Sequence, residues 1–71
     1  MLKSDDVIRV LVRLEFEIVR QRGSHIRLRH QDNRIVTVPA HAGTDLGRGI
    51  TRKILRDAQV TTEEFLTALD H

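Results

Sequence analysis

Cysteine is absent from the 71 residues, which excludes disulfide staples and thiolate metal sites. Tryptophan and tyrosine are absent as well, and the aromatic residues are Phe16 and Phe65 alone. Both sit at apolar positions suited to a core, which leaves no platform for stacking the bases of a single strand. No apolar run approaches the roughly 20 residues that a membrane helix needs. The opening "MLKSDD" lacks the apolar stretch of a signal peptide. A soluble cytoplasmic protein is the default expectation. A chain of this size buries only roughly 60–65% of its unfolded surface, so one small domain over residues 1–71 is expected, with an efficient core or a partner.

What the chain has is arginine, unevenly spread. Ten of its twelve basic residues are Arg. Residues 1–19 carry three bases and four acids, and residues 57–71 carry four acids and neither Lys nor Arg. Between them, residues 20–56 hold nine bases against Asp32 and Asp45, a local charge of +7 inside a chain of net +2. The planar guanidinium matches phosphate oxygens two at a time. A polyanionic partner, nucleic acid first, is the leading inference over a merely solvated basic face.

Ser4, followed by Asp5 and Asp6, reads as a helix N-cap with acids in the first turn. Val7, Val10, Leu11 and Leu14 continue at helical spacing, predicting an amphipathic helix over residues 5–14. The period then changes to two. Phe16 and Ile18 alternate with Glu17 and Val19 in a strand that ends near Gln21. Gly23-Ser24 is a turn. From His25 to His30 the alternation is clean, with Ile26 and Leu28 on one face and His25, Arg27 and Arg29 on the other. "QDN" at 31–33 turns into "RIVTV", Arg34 to Val38, which Pro39 ends. A glycine-bearing loop over residues 40–49 precedes a second helix carrying Ile50, Ile54, Leu55 and Ala58. "TTEE" is a capping box, Thr61 with Glu64, opening a short helix with Phe65, Leu66 and Leu69.

The predicted class is α+β in the order α-β-β-β-α, with a short C-terminal helix. Short connections make the three strands an antiparallel meander. Helices cover one face of the sheet and leave the other open. His25, Arg27 and Arg29 would lie on that open face.

"GSHIRLRH", Gly23 to His30, followed by "RIVTVPAHAGTDLGRGITRKIL", Arg34 to Leu55, resembles the HicA-type toxins, also called HicA mRNA interferases. The shared features are the Gly-Ser-His step, a histidine five residues on, the Val-Thr-Val-Pro strand, a His-containing glycine loop and a Lys-Ile-Leu helix. The resemblance covers roughly residues 4 to 60, leaving 61–71 as a C-terminal helical extension. It implies a double-stranded-RNA-binding-domain-like fold, in agreement with the order read from the residues. It also implies the toxin of a type II toxin–antitoxin system: a small, metal-independent endoribonuclease cleaving mRNA and held inactive by a HicB-type antitoxin. Glu15-Phe16 stands where the family often has glycine followed by an aromatic residue.

Cleavage of RNA without a metal needs a base for the 2′-hydroxyl proton and positive charge for the pentavalent phosphorane. An unperturbed histidine, with a pKa of about 6.5, is mostly neutral and still proton-accepting near neutral pH. From the residues alone, His25 is either that base or an ordinary strand-face histidine. The resemblance selects it as the catalytic residue. Arg22, Arg27 and Arg29 would then position phosphate, and Gly23 and Ser24 would shape the turn presenting His25. His30 falls on the opposite face and reads as structural. His41, in the glycine loop, would contact RNA or be solvated. Arg48, where the second helix begins, would meet a phosphate together with backbone amides, although the glycine spacing fails the phosphate-loop pattern. No cofactor is expected. A metal site from His25, His30 and His41 is disfavoured, because the first two point apart and no carboxylate cluster completes the set. The alternative is a non-catalytic RNA-binding module that reads A-form shape and backbone.

Overall fold

A computed structural model describes residues 2–40 and 45–70. The elements run α1 (Ser4–Arg13), β1 (Glu17–Arg22), β2 (His25–Arg29), β3 (Ile35–Pro39), α2 (Arg48–Ala58) and α3 (Thr62–Leu69). The strands form one antiparallel sheet in the order β1-β2-β3, with β2 central. This is the expected α+β architecture of double-stranded-RNA-binding-domain type, with a third helix added.

The buried cluster explains the layering. Val7, Val10, Leu11 and Phe16 meet Ile26, Leu28, Val36 and Val38 from the inner sheet face, while Ile54, Ala58, Phe65 and Ala68 close it from α2 and α3. β2 and β3 show strict inward-outward alternation, as a half-covered sheet dictates. No described helix is long and apolar enough to cross a membrane.

α1 begins one residue earlier than the capping pattern suggests. Lys3, not Ser4, is the N-cap residue, extended at φ −95°. Its N–H donates to Asp6 Oδ2 at 3.2 Å, and its backbone is bridged to Asp45. That bridge holds Lys3 out of the helix and draws Ser4 into a buried first-turn position. The helix ends in a Schellman arrangement, in which Phe16 N–H reaches Leu11 O at 2.9 Å and Glu15 N–H reaches Val12 O at 3.1 Å. Glu15 adopts φ +75° there, the left-handed conformation that favours glycine.

Arg34 ties three elements together. Its Nε meets both Asp32 oxygens at 2.9 Å, its Nη1 donates to Ala58 O at the end of α2, and its guanidinium lies 5.1 Å from the Phe16 ring centroid. A cation at a helix C-terminus complements the macrodipole. Arg13 plays a similar part for α3, donating to Ala68 O at 2.7 Å. The Thr61–Glu64 capping box forms as expected, with Glu64 N–H to Thr61 Oγ1 at 3.0 Å and Thr61 N–H to Glu64 Oε1 at 3.1 Å. Leu66, counted above with the apolar face of α3, is half exposed, and Phe65 with Ala68 is buried instead.

Candidate functional site

The β1–β2 hairpin builds the site. Gly23 has φ +56° and Ser24 does not share that sign, the pattern of a two-residue type II′ turn with glycine first. A Cβ at Gly23 would meet nothing within 4 Å, so the backbone angle, not space, calls for glycine. The turn sets Arg22 opposite His25.

Between that pair and the far end of the strands the register slips. Ile18 faces Leu28, but Arg20 faces Arg27, so Val19 is an extra residue in β1. A bulge of this kind lets two residues oppose one. Strict alternation from Phe16 would have sent Arg20 and Arg22 to the helix side. The bulge returns both to the open face, since register partners share a face. Nothing in "EIVRQR" signals it, because neither glycine nor proline occurs in β1.

The result is a hollow of about 230 Å³ lined by Arg20, Arg22, His25, Arg27 and Thr37. His25 is exposed, paired with Arg22 on one side and Pro39 on the other. The ion pairs among the described residues are Arg9–Asp6, His30–Asp32, Arg34–Asp32 and Lys53–Asp57. None of them uses Arg20, Arg22 or Arg27. Three guanidinium groups therefore converge without a carboxylate partner around one imidazole. Chemically the hollow can bind a phosphodiester and accept a proton beside it.

The other expected residues are distributed as follows. Gly23 and Ser24 form the turn itself, and Ser24 O accepts from Ala40 N–H. Arg29 shares the open face but lines a separate hollow, and its Nη2 donates to Asn33 Oδ1 at 2.6 Å. Arg48, at the start of α2, lines a different hollow from His25, together with Leu2, Leu46, Thr51, Arg52, Leu55 and Thr62. His41 lies outside the described residues. His30 packs edge-on to Phe16, with centroids 5.2 Å apart. Its Nδ1 accepts from Asp32 N–H at 3.2 Å and lies 3.1 Å from Asp32 Oδ1, contacts that tie the 30–34 turn together. Among the described residues no group of three or more His, Asp or Glu side chains could hold a metal ion.

Arg20 and Thr37 are the lining residues that sequence spacing missed; their shared register partner, Arg27, reveals both. A larger hollow of about 660 Å³ lies between α1 and α3. Its cation, Arg13, is committed to Ala68 O, so the hollow offers no comparable chemistry.

No curated protein matches the sequence. The family model described as the HicA toxin of bacterial toxin–antitoxin systems matches residues 4–60, a span holding the sheet, α1, α2 and the whole basic hollow. The chain thus belongs to the HicA toxin family.

Proposed function

We propose that this HicA-family toxin is a metal-independent endoribonuclease acting on mRNA in the cytoplasm, with His25 as general base. The supporting observation is the convergence of His25 with Arg20, Arg22 and Arg27 in one hollow, the three arginines free of the described ion pairs. In this reading His25 takes the 2′-hydroxyl proton, and the 2′-oxygen attacks the adjacent phosphorus. The P–O5′ bond breaks to leave a 2′,3′-cyclic phosphate, and the departing 5′-oxygen takes up a proton. The arginines stabilise the charge that builds on the phosphoryl oxygens. A positioned base contributes roughly 10²–10⁴-fold, and preorganised charge adds to it.

Gly23 and Ser24 fix the turn that presents His25. Arg29 and Arg48 are RNA contacts outside the cleavage point, and His41 is a further RNA contact. A HicB-type antitoxin neutralises the toxin, its acidic groups answering the same basic face.

The test compares wild type and His25→Ala for RNA cleavage and for growth arrest on induction, with folding checked by circular dichroism. A folded, fully active His25→Ala protein would sink the assignment. Salt-sensitive RNA binding by wild type without any cleavage would favour the non-catalytic binding module. Cleavage that continues in excess chelator is the expected result for a metal-independent reaction.

A further inference from the structure

The open face is not uniformly basic. Two residues further along β2 from Arg27, about 7 Å at the rise of a strand, a second hollow of about 320 Å³ is bordered by Glu15, Glu17, Val19, Arg29, His30 and Gln31. Glu17 is the register partner of Arg29, and the two could neutralise each other. They do not. Arg29 is held by Asn33 Oδ1 at 2.6 Å, and neither Glu15 nor Glu17 enters an ion pair among the described residues. On a surface that must attract a polyanion, two unpaired carboxylates cost affinity unless the ligand brings hydrogen-bond donors to them.

We propose that this second hollow is a base-selecting subsite for the same RNA strand, taking guanine beside the phosphate held at the His25 hollow. The inference rests on the ribonuclease reading above and names what that site discriminates. A carboxylate repels phosphate but accepts from the edges of bases. Guanine offers N1–H and the N2 amino group side by side, matching the two oxygens of one carboxylate. Uracil offers a single N–H between two carbonyl oxygens, which a carboxylate meets unfavourably. Cytosine and adenine present one amino group each. Guanine also carries O6 and N7, the acceptors to which an arginine fork donates, and Arg29 is already oriented by Asn33. Val19, pushed out by the bulge and half exposed, supplies an apolar wall for the flat of the base. The bulge that assembles the phosphate hollow from Arg20 and Arg22 therefore also lines the base hollow.

The test titrates the full chain with 3′-GMP and with 3′-UMP, followed residue by residue through backbone amide resonances. The expected result is that 3′-GMP moves the amides of Glu17, Arg29 and Gln31 and binds roughly tenfold more tightly than 3′-UMP. Glu17→Ala should bring 3′-GMP to the level of 3′-UMP while the response at Arg22 and His25 persists. Equal binding of the two nucleotides, or an unchanged preference in Glu17→Ala, would overturn the proposal. The titration involves no cleavage, so its outcome stands apart from that of the His25→Ala comparison.

Discussion

Arg20 and Arg27 face each other across β1 and β2 as register partners, two like charges paired directly on the open face. Such a pair destabilises an empty sheet, and an anion between the two relieves it. Arg20→Thr is expected to raise stability by roughly 0.2–1 kcal/mol in urea unfolding at low salt. The gain should shrink in phosphate buffer, while RNA affinity falls. A variant no more stable than wild type at low salt would show that the two guanidinium groups do not oppose each other.

Glu15 holds a left-handed backbone at φ +75° in the Schellman turn that closes α1. Glycine adopts that conformation without the Cβ penalty of about 1–2 kcal/mol. Its greater freedom in the unfolded chain offsets part of the gain. Glu15→Gly should therefore stabilise by about 0.5–1 kcal/mol, read as a higher thermal midpoint.

The bulge makes opposite predictions for two single-residue deletions. Removing Val19 leaves every register pair of β1 with β2 in place, so Arg20 and Arg22 stay on the His25 face. Removing Gln21 lets the strand regularise with Val19 opposite Arg27 and Arg20 turned toward the helices. The slope of log affinity for single-stranded RNA against log salt should then fall by roughly 0.7, one phosphate contact. The Val19 deletion should keep the wild-type slope. Equal slopes for the two deletions would argue against the bulge as the device that aims Arg20.

Acid should loosen the fold through two exposed carboxylates. The Arg34 side-chain hydrogen bond, with its backbone N–H also contributing, holds Asp32 below its usual pKa. The Thr61 backbone N–H, followed by the Thr61 side chain, does the same for Glu64. Depressed folded-state values mean that this stability is present above the ordinary carboxylate pKa values of about 3.9 and 4.3. It is lost as pH falls through the lowered ones. Urea midpoints should drop below about pH 4 in wild type. Asp32→Asn and Glu64→Gln should be weaker than wild type at pH 7 and converge with it in acid.

The parts of this molecule that could be read from residues are those where a single local rule decides. β2 is central, with one covered face, so His25, Arg27 and Arg29 follow from alternation alone. Gly23-Ser24 and the Thr61–Glu64 box each carry their own geometry. β1 resisted for a physical reason. It is an edge strand, and Ile18 and Val19 are both about half exposed (51% and 50%), so no strong apolar face pins its register. Ser4 lost the N-cap to Lys3 because a distant bridge to Asp45 intervenes. Arg29 shares the face of His25 but not its hollow, a separation along the strand that a face assignment does not contain. In α3 the buried pair is Phe65 and Ala68, so the small residue took the place expected of Leu66.

Phe65 and Ala68 belong to the buried cluster, yet they lie beyond the stretch matched to the family. They are also made after every residue that lines the basic hollow. On the ribosome, the sheet and its arginines are synthesised while one side of their core is still missing. The core closes only when α3 has emerged and Arg13 can reach Ala68. Folding of this domain thus waits on α3, and the nascent chain passes through a stage with its cationic face made and its core unsealed.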